Sequence, residues 1–273
     1  MVSARGPLRA AGFWLCLLLS LGFLLFPFVW MLMGSFKTQA DFMAYPPRWV
    51  FTPTLENYEK VLVRGDFVKF TVNSLVIALG STGLSLVLGV PAAYGIARYR
   101  QTALGMTLLT ARMAPGIAFL IPWFILFSKA RMVDTYLAVI LTHMVVVLPL
   151  VIWVLVSFFE DVPKELEEAG LIDGCTLLGV FRRIALPLAR PGMMATAILG
   201  IISSWNNFIF SLVIAGNTTR TLPVAVFNFV SYDSLNWGGL TAASTIITLP
   251  VVVMAFLVQK HIVRGLTFGA LKG

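Results

Sequence analysis

The chain has 273 residues, 59% of them hydrophobic and only 12% charged, with a mean hydropathy of +0.90. Soluble domains carry about a quarter charged residues, so a water-soluble globular fold is excluded and a bilayer is the expected solvent. The formal net charge of +8 comes from basic residues that stand singly or in pairs between apolar runs, as at membrane surfaces, which excludes nucleic-acid binding.

The first apolar run, about Phe13 to Met33, follows Arg5 and Arg9. It is longer than an ordinary signal-peptide core, contains Pro27 and lacks a small-x-small cleavage site, so it reads as a retained spanning helix. From Lys37 to Lys69 the chain is too polar to cross, and Tyr45, Trp49 and Tyr58 suit an interface. Further runs occupy about Val72 to Ile96, Leu104 to Phe127, Leu137 to Phe158, Gly192 to Ile214 and Leu240 to Val258. At roughly 20 residues per crossing these predict an all-α integral membrane protein with six transmembrane helices and both termini on one side. The positive-inside rule puts the termini and the 159–190 loop in the cytoplasm. No repeat or linker divides the chain, so a single transmembrane domain over 1–273 is expected. Cys16 lies in the first apolar run and Cys175 in the longest polar stretch after the fourth, which suggests neither a disulfide nor a metal site.

The loop after the fourth run runs Glu160-Asp161-Val162-Pro163-Lys164-Glu165-Leu166-Glu167-Glu168-Ala169-Gly170-Leu171-Ile172-Asp173-Gly174. Pro163 can open a helix whose early carboxylates suit the positive end of its dipole. Leu166, Ala169 and Gly170 give it a narrow small and apolar face, and Gly174 can take the left-handed conformation that ends it. A second short helix is expected through Phe181 to Ile184, stopped by Pro187 and Pro191. Such a pair could lie on the membrane surface or insert into a partner's groove.

Glu168-Ala169-Gly170, then Gly174, nine residues, Ile184, one residue and Leu186-Pro187 resembles the EAA loop of ABC importer permeases. The departure is Gly170, where that family usually has a second Ala. The likeness extends to Leu120-Ile121-Pro122, Asp134-Thr135-Tyr136-Leu137, Leu148-Pro149, Ser204-Trp205-Asn206-Asn207-Phe208, Thr221-Leu222-Pro223-Val224 and the tail from Gly265 to Gly273, which together resemble the carbohydrate-type permeases of the maltose-transporter branch.

The resemblance implies half of a translocation pore, completed by a second permease subunit in the cell (inner) membrane. An ATPase dimer beneath it binds ATP and Mg, and an extracytoplasmic binding protein delivers a sugar, oligosaccharide or polyol. It assigns ATPase coupling to Glu168, Ala169, Gly170, Asp173, Gly174, Ile184, Leu186 and Pro187, with Gly174 at the turn and Ile184, Leu186 and Pro187 anchoring the second helix to the next span, and places the 260–273 tail, from Arg264 onward, between the ATPase subunits. The chain carries no Gly-x-x-x-x-Gly-Lys-Ser/Thr phosphate loop, so neither ATPase activity nor a cofactor is expected on it.

Polar residues within spans are costly and therefore informative. Trp205, Asn206 and Asn207 fall near the middle of the fifth run, where they could meet a sugar's hydroxyls or knit helices together. Arg112 could line a cavity or snorkel to the cytoplasmic edge, and His143 is expected to be a packing donor because no intramembrane carboxylate accompanies it. The same lack of carboxylates argues against an ion-coupled carrier, and scattered His and Cys argue against a membrane enzyme.

Overall fold

The computed structural model describes residues 7–113, 116–230 and 235–270. Among them the regular structure is helical, apart from an isolated antiparallel bridge between Val230 and Leu235. In chain order the principal helices are α1 (Pro7–Ser35), α2 (Phe67–Arg98), α3 (Thr102–Met113), α4 (Gly116–Lys129), α5 (Tyr136–Glu160), α6 (Lys164–Ile172), α7 (Leu177–Leu188), α8 (Arg190–Trp205), α9 (Ile209–Ile214) and α10 (Trp237–Ala270). Within α1, α2, α5 and α10, the stretches Ala10–Ser35, Phe67–Arg98, Tyr136–Glu160 and Trp237–Gln259 are long and apolar enough to cross a membrane.

The fifth apolar run, read from sequence as a single span, is broken. Along the third run, α3 and α4 flank residues 114–115; Pro115 lies outside the described residues, as does the side chain of Arg112. The fifth stops at Trp205 and resumes at Ile209. The tail is helical to Ala270, but its side chains from Lys260 onward, and all of residues 271–273, lie outside the described residues.

The chain divides into two compact units. One comprises residues 1–66 and 226–248. Here α1 leaves Phe23, Leu19 and Leu24 exposed, as a helix surrounded by lipid or partner helices would. The polar segment after it folds back on itself: Asn57 donates to the carbonyls of Ser35 (2.9 Å) and Lys37 (2.8 Å), and the Tyr58 and Ser35 hydroxyls lie 2.8 Å apart. Phe42 stacks on Trp237 with centroids 5.2 Å apart.

The other unit comprises residues 67–225 and 249–273, and its core is built by α2, α5 and α8. In lipid, apolar burial does not drive helices together, so close contact between small side chains and hydrogen bonds must do so. The inward stripe of α2 accordingly runs through Ser74, Ala78, Ser81, Thr82, Ser85, Gly89, Ala93 and Ala97. A side chain at Gly89 would strike Val151 of α5, and one at Gly200 of α8 would strike Thr82 and Val147. The facing stripe of α5, Val139, His143, Val147, Val151, Leu155 and Phe159, is buried throughout.

Candidate functional site: the 159–190 loop and the break after α8

Both short helices expected in the loop are present. Thr176 caps α7 by accepting from the Gly179 amide at 3.1 Å, and Gly174 ends α6 with φ +86°, a conformation that favours glycine. The Cys175 amide returns to the Gly170 carbonyl at 2.9 Å, closing the turn. Proline at 187 and 191 accompanies a 72° bend between α7 and α8, which turns the chain back toward the helical core.

The structure sorts the loop residues onto two sides. Glu168, Ala169, Asp173, Gly174 and Pro187 are exposed, with Leu166, Leu171 and Ile172 beside them. Gly170 is instead buried: a Cβ there would press on the tip of Ile184 and lie 3.4 Å from Val180, so α6 lies directly on α7. Ile184 and Leu186 are half-buried, and Leu186 packs against a core cluster containing Ala93, Ala97, Leu155, Phe159, Ala185 and Ala189. Thus Gly170, expected on the outward docking face, forms the inner joint of the loop. The outward apolar groups of α6 are Leu166, Leu171 and Ile172.

Sequence reasoning missed Glu167. Its side chain is 10% exposed and its Oε1 accepts from Arg98 Nε at 2.8 Å and Nη2 at 2.6 Å, while Oε2 accepts from the Tyr94 hydroxyl at 2.9 Å. Arg98 Nη2 also donates to the Val162 carbonyl at 3.1 Å. The available signal was spacing: Glu167 lies three positions before Gly170, so once Gly170 faces inward, Glu167 does too.

At the second candidate region, α8 ends where the Asn206 and Asn207 amides bond back to Ile202 and Ser204 at 3.1 Å each. Asn207 Oδ1 then accepts from the Phe210 amide at 3.3 Å, tying this side chain to the first turn of α9. Asn206 and Asn207 line a cavity of about 470 Å³ with Gly116, Val146, Phe208, Ile209 and Phe210, whereas Trp205 is 2% exposed and held in the core. The structure therefore brings the two amides to a common space and separates the indole from it.

Behind the break, His143 Nδ1 lies 2.8 Å from Ser204 Oγ and Nε2 lies 3.0 Å from Ser211 Oγ, and Ser81 donates to Ser204 at 2.9 Å. One imidazole thus links α5 to α8 and α9, and through Ser204 to α2, which is the packing role expected of it. Beyond α4, Asp134 accepts from the Gly216 (2.9 Å), Thr218 (3.0 Å) and Thr219 (2.9 Å) amides and the Thr219 hydroxyl (2.8 Å). Burial raises its pKa, but these bonds, led by the Thr218 and Thr219 amides, outweigh it and hold the carboxyl at about 2. Among the described residues no group of three or more His, Cys, Asp or Glu side chains is placed to hold a metal ion.

The family model described as binding-protein-dependent transport system inner membrane component matches residues 85–268. The trehalose/maltose transport system permease protein MalG of Thermococcus litoralis is 37% identical over 256 residues, covering 91% of this chain and 92% of that protein. The sulfoquinovosyl glycerol transport system permease protein SmoH of Agrobacterium fabrum is 34% identical over 255 residues, covering 91% and 89%. Among solved structures, a chain of a bacterial ABC transporter involved in import of the acidic polysaccharide alginate superposes with a TM-score of 0.73 at 20% identity, covering 95% of this chain and 99% of that one.

Proposed function

Because the chain belongs to the family of inner membrane components of binding-protein-dependent transport systems and is an ABC permease subunit, we propose that it forms half of an ATP-driven import pore for a sugar, oligosaccharide or polyol. Six crossings make up one permease domain over 1–273, α8 with α9 serving as a broken span, and both termini face the cytoplasm. A second permease subunit completes the pore, an ATPase dimer supplies hydrolysis with its own ATP and Mg, and an extracytoplasmic protein delivers the substrate. This chain contributes mechanical conversion and no catalytic group.

The observation that carries this reading is the two-sided loop. A short helix that fixes Glu167 and Gly170 inward, and leaves Glu168, Ala169 and Ile172 exposed, offers a partner an acidic, small and apolar surface on a rigid backing. Glu168 can accept charge-assisted hydrogen bonds from a basic residue of the ATPase. Asp173, Gly174, Ile184, Leu186 and Pro187 hold the turn and seat α7. A carbohydrate class is supported by the named substrates of the related permeases. The amides of Asn206 and Asn207 offer donors and acceptors at the cavity, and they can meet hydroxyl groups without charge.

The test is reconstitution with the partner subunits, followed by uptake from a panel of binding-protein-delivered sugars. Replacing Asn206 and Asn207 by Leu should change substrate-stimulated uptake while the complex still assembles. Unchanged uptake would mean that the two amides only shape the break between α8 and α9.

A further inference from the structure

The Arg98–Glu167 pair lies at a junction of four helices. Arg98 is the last residue of α2, Glu167 is on α6, the Val162 carbonyl belongs to the strap between α5 and α6, and the Tyr94 ring contacts Phe159 of α5 (centroids 5.4 Å apart) and Phe181 of α7 (4.9 Å). The Arg98 and Glu167 side chains are 9% and 10% exposed, and the Tyr94 hydroxyl and two guanidinium nitrogens occupy both carboxylate oxygens. The guanidinium also lies over the Tyr94 ring, 5.7 Å from its centroid.

Stability alone is a weak reason for such an arrangement, because buried ion pairs can often be exchanged for packed apolar groups at no loss. What a multiply bonded Arg–carboxylate pair supplies is direction: it fixes distance and angle together, which apolar packing of α6 alone would leave free to slide.

We infer that Tyr94, Arg98 and Glu167 form a clasp that makes the 159–190 loop and the α2–α5 core move as one body. Force received on the outer face of α6 then reaches the pore-forming helices instead of tilting the loop. The three are positioning residues, and the inference rests on the reading of the loop as the ATPase-coupling element. The clasp faces inward and Glu168 faces outward, so the two ideas are separable by mutation.

The experiment uses the complete importer in proteoliposomes with its binding protein, and measures ATP consumed per sugar imported. Glu167→Gln keeps the side chain's size but removes the charge. It should leave the partners co-purifying and raise ATP consumed per sugar by roughly tenfold, within the usual range for a coupling free energy. Arg98→Lys, which keeps the charge and loses the fork, should give an intermediate rise, a grading that simple loss of fold would not produce. If Glu167→Gln fails to assemble, Tyr94→Phe decides, since it deletes only the hydroxyl and should still raise the ratio; an unchanged ratio there would overturn the clasp. Glu168→Lys separates the underlying reading. Uncoupling by Glu168→Lys with an unchanged ratio in Glu167→Gln would overturn the clasp alone, and unchanged ratios in both would overturn the coupling loop as well.

Discussion

Gly170 and Ile184 meet at the joint between α6 and α7, where the absent side chain of one makes room for the tip of the other. The motif's second small position and its Ile are thus partners in a single contact, and the backbone of α6 lies against α7 because nothing projects from residue 170.

Gly170→Ala should be tolerated. The added methyl meets the flexible end of Ile184, which can turn aside, and Ala favours a helix by about 1 kcal/mol over Gly. Gly170→Leu must push α6 from α7 and should cost about 1–3 kcal/mol as an overpacked joint. Limited proteolysis of the loop in the purified complex measures both, and a Leu variant as resistant as the parent would contradict the packing described.

His143→Ala removes the bridge between α5, α8 and α9. Interhelical hydrogen bonds in membranes average about 0.6 kcal/mol, so two lost bonds should lower unfolding stability by roughly 1–2 kcal/mol once lost packing is included. Ser211→Ala should cost less than His143→Ala, because Ser204 remains linked to the imidazole. Unfolding in mixed micelles gives the comparison, and equal stabilities for all three proteins would remove the bridge from the account.

Asp134 gives the 216–219 loop an acid-sensitive hold. Its folded pKa of about 2 lies below the ordinary 3.8, so the ionised, bonded form stabilises the fold fully above about pH 4, and that contribution is lost as pH falls toward 2. The Gly216, Thr218 and Thr219 amides should therefore resist hydrogen exchange at pH 5 and lose relative protection near pH 2. Asp134→Asn should lack the pH 5 protection from the start. Identical exchange in the two proteins at pH 5 would show that the carboxylate does not hold the loop.

Much of the helical plan was legible in the sequence, because spanning helices need long apolar runs and four of these runs carry single long helices suited to crossing. The turn at Gly174 was legible too, since glycine in that pattern has few other uses. The break after Trp205 was not, because hydropathy averages over a window and does not register an Asn that bonds to the first turn of the next helix. The inward direction of Gly170 and Glu167 was hidden for a different reason. Which side of a short helix faces inward depends on α2 and α7, and the partner of Glu167, Arg98, lies 69 positions away in the chain.

The outer face of α6 should respond to charge. Glu168→Lys reverses an exposed group on the surface assigned to the ATPase, and should weaken that association without affecting insertion or the fold of the α2–α5 core. Blue-native electrophoresis of the solubilised complex tests it, and full ATPase association by the Lys variant would remove Glu168 from the interface.

The most direct test of the central claim is to purify the tagged chain from its native membrane in mild detergent, identify what accompanies it, and assay the complex for ATP hydrolysis. A second permease and an ATPase dimer are expected, with hydrolysis stimulated by a sugar-loaded binding protein and disrupted by Glu168→Lys. A chain that purifies alone from several mild detergents, and transports without ATP but stops when an ion gradient collapses, would contradict that claim.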